Sequence, residues 1–103
     1  MAQFVMKRHV TPLGSSILAI SDPELIGKSL EDTDKGISFQ VTEYFYGTEL
    51  FDEKEAIEAL SAADNANIMG NLIVEVAINH NLISPKNVIT ISGVKHAQIY
   101  KID

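Results

Sequence analysis

Apolar residues in this chain recur with a period of two towards both ends and with a helical period in between, a division that limits the folds open to it. Phe4 to His9 alternates as a strand does. A turn follows at Thr11-Pro12-Leu13-Gly14-Ser15, and Ser16 to Ser21 is a second apolar run, so the two predict a hairpin. Asp22-Pro23 opens a short helical turn, with Asp22 as its cap and Gly27 as its end. Glu31 to Gly36 is polar and reads as a loop. Ile37, Phe39 and Val41 alternate with Ser38, Gln40 and Thr42 as a half-buried strand, and Tyr44-Phe45-Tyr46-Gly47 reads as a bulge or strand end.

In the middle, Asp52 with Glu55 three residues on forms an acidic capping box ahead of Ala56, Ile57 and Leu60. Ser61 and Asp64 repeat the signal. The stripe Ile68, Met69, Leu72, Ile73, Val76 and Ala77 then predicts a second helix from Asp64 to Asn79. Val88 to Ser92 and Val94 to Ile102 are the closing strands, with a turn or bulge at Gly93. Val94, His96, Gln98, Tyr100 and Ile102 share one face of the last strand. The expected class is α+β: a mixed or mainly antiparallel sheet from the N- and C-terminal strands, with two central helices packed on it.

The length, 103 residues, suits one domain over 1–103, and 46% apolar content supplies a core. The absence of cysteine excludes disulfides, thiolate metal sites and cysteine nucleophiles. The N-terminus lacks the apolar run of a signal peptide, and Ile68 to Ile78 is too short for a membrane span, so the expected location is the cytoplasm. The net charge of −6 is unevenly spread. Seven acids and one base, Lys54, lie between Glu43 and Asp64. Segments 1–10 and 86–103 hold five bases (Lys7, Arg8, Lys86, Lys95, Lys101) and one acid, Asp103. If those segments adjoin, one end of the molecule is locally basic, and Lys7, Arg8, Lys95 and Lys101 become candidate nucleic-acid contacts.

No catalytic or nucleotide-binding signature is present, and His9, His80 and His96 lack ligand spacing. A composite site of His9 and His96 on neighbouring strands is the one metal arrangement the sequence offers; neither metal nor cofactor is expected. The least ordinary segment is Asp64 to Asn71. On a helix, Asn67 and Asn71 would share a face beside Gly70, at a cost in helix propensity. Either a ligand or partner approaches Gly70, or another part of the chain does. His96 and Gln98, two apart on the last strand, are the second such feature. They form either a pocket edge that meets Asn67 or Asn71, or a pair satisfied by the backbone. Glu43 beside Tyr44, Phe45 and Tyr46 is the third, although core packing by itself explains its rings. Candidate binding residues are thus Asn67, Gly70, Asn71, Gly93, His96, Gln98, Glu43 and Tyr46.

Leu25-Ile26-Gly27-Lys28, Glu43-Tyr44-Phe45-Tyr46-Gly47, Ala66-Asn67-Ile68-Met69-Gly70 and Ile91-Ser92-Gly93-Val94-Lys95-His96-Ala97-Gln98 occur in one order. That order resembles a family of short archaeal proteins, Domain of Unknown Function 424, over nearly the whole chain. The family pattern commonly has proline before that histidine; this chain has Lys95. The resemblance implies an archaeal cytoplasmic source and no activity. From the residues, the first functional reading is a non-enzymatic binding module for RNA or a translation-related ribonucleoprotein. It rests on the basic termini and the aromatic cluster. The alternatives are a small enzyme or ligand-binding domain around Asn67, His96 and Gln98 with Glu43 as base, and a protein-complex subunit using the acidic helices.

Overall fold

The computed structural model describes residues 2–101. Strands β1 (Gln3–Val10) and β2 (Ser16–Ser21) form the expected hairpin, pairing antiparallel from Val5–Ser21 to Val10–Ser16. After a 3-10 turn at Pro23–Leu25, β3 (Ser29–Asp32) and β4 (Ile37–Gln40) make a small antiparallel sheet of their own. A one-turn helix α1 (Glu43–Tyr46), β5 (Leu50–Asp52) and helix α2 (Glu53–Ala62) follow. Strand β6 (Asn65–Met69) leads directly into α3 (Asn71–Asn79), and β7 (Ile89–Ile91) and β8 (Val94–Tyr100) close the chain.

The main sheet has six strands in the order β5-β1-β2-β6-β8-β7. Only the β2–β6 pair is parallel, so the sheet is mixed and the class is α+β. Because side chains alternate across a strand, each strand feeds two cores. Phe4, Leu18, Ile20, Ala66, Ile68 and Ile99 point to the face covered by α2 and α3, where Ala56, Leu60, Ile73, Val74 and Ala77 meet them. Val5, Ala19, Met69 and Ile91 point to the other face, where Leu25, Leu30, Val41 and Tyr46 cover them.

Three expectations need correction. The second helix does not begin at Asp64: Asn65–Met69 is a central strand, and the helix starts at Asn71. Residues 66–69 are all buried because both faces of β6 are covered, so a continuous apolar run completed a helical stripe by coincidence. Glu31 to Gly36 is not all loop, since Ser29–Asp32 pairs with Ile37–Gln40 and only the turn between them is irregular. Its polarity hid the strand, in which Leu30 alone is buried. Tyr44 to Gly47 is neither bulge nor strand end. Thr42 Oγ1 accepts the Phe45 N–H at 3.2 Å and caps the single turn of α1. The three-residue strand β5 was not foreseen at all. The α2 capping box forms as read, with Glu55 N donating to Asp52 Oδ1 at 2.8 Å and Asp52 N to Glu55 Oε1 at 3.1 Å. Among the described residues no helix is long and apolar enough to cross a membrane.

Candidate binding surface at the open end of the sheet

Register places the candidate residues in rows across the face opposite α2 and α3. The first row is Val5, Ser21, Met69 and His96; the second is Lys7, Ala19, Asn67 and Gln98. In a third row His9 lies opposite Ile17 and Asn65 opposite Tyr100, with Ile17 and Asn65 level in the continued β2–β6 register. The three rows become progressively more open.

In the first row Val5, Ser21 and Met69 are buried and His96 is half-buried. The His96 Nδ1–H donates to the Ile68 carbonyl at 2.8 Å, since a carbonyl only accepts, and its ring lies 5.7 Å from that of Phe39. Burial pushes the imidazole below its ordinary value, partly offset by the Ile68 carbonyl, which favours the cation. In the second row the fully buried Tyr46 hydroxyl donates to Asn67 Oδ1 at 2.6 Å, and burial pushes its phenol pKa up. Gln98 faces Asn67 across the ladder but is exposed. Lys7 Nζ donates to the Tyr44 carbonyl at 2.9 Å and lies 4.8 Å from the centroid of the exposed Tyr44 ring.

The third row is the open one. His9 stacks on Phe45 at 5.0 Å, and its Nε2–H donates to the Phe45 carbonyl at 2.7 Å. Lys7 and His9 thus both serve carbonyls in the last turn of α1, where positive charge is favoured. Ile17 and Asn65 are half-buried, and the Asn65 Oδ1 is buried without a hydrogen-bond partner. Tyr100 is 68% exposed.

The strand-to-helix junction explains the rule-breaking segment. Gly70 has φ +127°, and a Cβ there would lie 2.4 Å from the Asp22 carboxyl carbon. Asp22 does not cap the turn it precedes. Its two oxygens accept the Leu72 and Ile73 N–H groups, each at 2.9 Å, and cap α3 from fifty residues away. Burial raises the Asp22 carboxyl above its ordinary range; the two N–H bonds oppose this, and nearby Glu24 adds to the rise. The close approach inferred at Gly70 is therefore made by this carboxylate. Asn71, the first residue of α3, ties the helix to the β7–β8 turn: Nδ2 donates to the Gly93 carbonyl at 3.3 Å, and Oδ1 accepts the Lys95 N–H at 2.7 Å.

The structure brings Asn67, Gln98 and His96 onto one face, with Tyr46 beneath, but on two strands rather than a helix and a strand. It does not gather the four cations into one patch. Lys7 and Arg8 are neighbours in β1 and project to opposite faces; Lys95 and Lys101 are six residues, about 20 Å, apart along the last strand. Glu43 is exposed on α1 and lines a groove of about 580 Å³ with Lys7, Tyr44, Thr48 and Glu49. His9 and His96 do not share neighbouring strands: β2 and β6 stand between them. Among the described residues no three His, Asp or Glu side chains group to hold a metal ion. His9, Asn65 and Tyr100 were not singled out by sequence as a binding group, because only the strand order sets them in one row.

A family model described as "Protein of unknown function (DUF424)" matches residues 10–102. The chain is similar in fold to a solved structure, an uncharacterized conserved protein from Methanopyrus kandleri, with a TM-score of 0.77 at 23% identity over 99% of this chain and 96% of that one. No curated protein matches.

Proposed function

This chain belongs to the DUF424 family of proteins of unknown function, and starting from there we propose a non-enzymatic module that binds single-stranded RNA across the open third row. The observation that carries the reading is the row itself: an exposed tyrosine, an amide with an unpartnered buried oxygen and an imidazole set side by side on a sheet. From β1 to β8 is three interstrand steps, about 14 Å. Sheet-based RNA-binding domains stack about two or three bases on exposed aromatics over a comparable span. Tyr100 offers a face for stacking, and Asn65 and Gln98 offer amides for base edges.

Charge supports the placement. The whole chain carries −6, so attraction for a polyanion must be local. Residues 76–101 contain no acid and include β7 and β8, so no carboxylate of that side of the sheet opposes a phosphate. Lys7, in the second row, is the cation beside the strip; Lys101 lies on the helix face, where its Nζ donates to the Ser61 carbonyl at 2.7 Å. Asn67 and His96 serve the surface from below: Tyr46 holds Asn67, and the Ile68 carbonyl holds His96. An archaeal, cytoplasmic setting belongs to the same proposal, and the Methanopyrus likeness supports its archaeal half.

The test is fluorescence anisotropy with a labelled oligouridylate. Binding is expected at low salt and should weaken steeply as salt rises. Tyr100→Ala should cost about 1–3 kcal/mol of affinity without altering the urea midpoint. Absence of binding at low salt, or binding indifferent to Tyr100, would overturn the reading.

A further inference from the structure

We propose that the outer edge of β1 at Arg8 and Val10 is a docking site for an extended segment of a partner protein. The segment pairs antiparallel with β1 and sets one carboxylate, flanked by apolar residues on the same face, against Arg8. The hydrogen-bond phase of β1 defines the edge. Thr11 N donates to the Ser15 carbonyl at 2.8 Å, one step beyond the Val10–Ser16 pair. The odd-numbered residues of β1 therefore turn their backbone groups towards β2, and the even-numbered ones turn theirs outward. Strand β5 takes up those of Phe4, which lies opposite Phe51, and its ladder stops with Leu50 opposite Val5.

The chain does not follow the edge further. Continued in the register of β5, Glu49 would face Met6 and Gly47 would face Arg8. Instead Glu43–Tyr46 is the helix α1, whose Tyr46 packs with Val5 and Ala19 on the face opposite α2. A Cβ on Gly47 would stand 3.2 Å from the Met6 carbonyl oxygen, so the path from α1 to β5 crosses the edge at Met6. Beyond that crossing Arg8 and Val10 are exposed, and among the described residues no strand lies opposite either. Their two N–H and two C=O groups match what an added strand uses for affinity.

The side chains beside the edge select the occupant. Met6, Arg8, Leu18, Phe51 and Ala59 line a cleft of about 210 Å³. All five lie on one side of the sheet: Arg8 is opposite Leu18, Phe51 is opposite Phe4, and Ala59 belongs to α2, which covers Phe4 and Leu18. Lys7 and His9 use their side chains on the Tyr44 and Phe45 carbonyls of the other face, whereas the exposed Arg8 guanidinium has no such bond among the described residues. An acid facing Arg8 pairs with it, and apolar residues two places to either side meet Met6 and Val10. On the other face Glu43 and Glu49 line the groove beside Lys7, so a carboxylate projecting that way is repelled. A second copy of this chain does not supply the acid. Pairing β1 with itself about a two-fold axis sets Lys7 opposite Lys7 or Arg8 opposite Arg8, or, centred on His9, sets Arg8 opposite Val10. The edge borders the RNA strip at His9, but it stands on the backbone phase and on Arg8, not on that reading.

The test uses the full chain and a phage-displayed library of random dodecapeptides. Enriched sequences should carry an acid with apolar residues two places before and after it. A synthetic peptide of that kind should slow hydrogen exchange at the Arg8 and Val10 amides. Arg8→Glu should weaken its binding about ten-fold, and replacing the peptide's acid by lysine should restore binding to that variant. N-methylating the peptide residue that faces Arg8 should remove the protection, and this decides the matter if Arg8→Glu does not fold. The proposal is overturned if no sequence is enriched, if the enriched sequences lack the acid, or if the bound peptide leaves both amides exchanging as before. It is also overturned if the lysine peptide fails to rescue a folded Arg8→Glu chain. Protection of the two amides by self-association, or by oligouridylate that displaces the peptide, would overturn it as well.

Discussion

Two side chains decide how the polar face of this protein is supported. Tyr46 is fully buried and its hydroxyl is spent on Asn67 Oδ1. Tyr46→Phe keeps the ring but strands that oxygen away from water, so it should cost about 1–3 kcal/mol in urea unfolding. An unchanged midpoint would mean the bond adds nothing. His96 supplies the pH dependence. Its native pKa lies below the ordinary value of 6.5 through burial, so the unfolded chain binds the proton more tightly. The stabilisation it represents is present above that value and is lost as pH falls below it. Between about pH 7.5 and about pH 5.5 the wild-type urea midpoint should fall, and His96→Gln should lose that component. Comparing the two chains removes the opposite contribution of Asp22, whose raised carboxyl gains protons in the native state as pH falls.

At the scale of elements, the junction from β6 to α3 is the part most sensitive to change. Gly70→Ala places a methyl against the Asp22 carboxylate in a backbone conformation that side chains rarely adopt. It should destabilise the chain by about 2–4 kcal/mol in a denaturant titration, through strain and loss of the α3 cap. A loss of a few tenths would contradict the geometry. This junction also shows what the sequence made legible. The low propensity of Asn67 and Gly70 for a helix was visible and marked a real discontinuity, but the helical stripe across it came from a strand buried on both faces. Asp22 was recognisable as a cap, yet nothing local points to a helix fifty residues on. The terminal strands and the α2 capping box were legible because alternation and capping are local signals. Strand β5 is too short and too exposed to alternate visibly, and β3 buries a single side chain.

At the scale of the molecule, the mixed sheet sorts its faces by depth. Helices α2 and α3 close one face; the small sheet and α1 close the lower part of the other and leave the row from His9 to Tyr100 open. That opening depends on strand order, which leaves only β2 and β6 between the first and last strands of the chain. Composition could not foresee it, and the basic termini look like one cluster in sequence only because the sheet's two faces are invisible there. The account therefore stands on where a ligand touches the sheet. The most direct measurement is a titration of isotopically labelled chain with oligouridylate at low salt, followed by amide and side-chain NMR shifts. The account predicts that the largest changes fall on His9, Ile17, Asn65, Gln98 and Tyr100, including the Asn65 side-chain amide, while α2 and α3 stay unperturbed. Changes centred on the helices, or none at all, would contradict it.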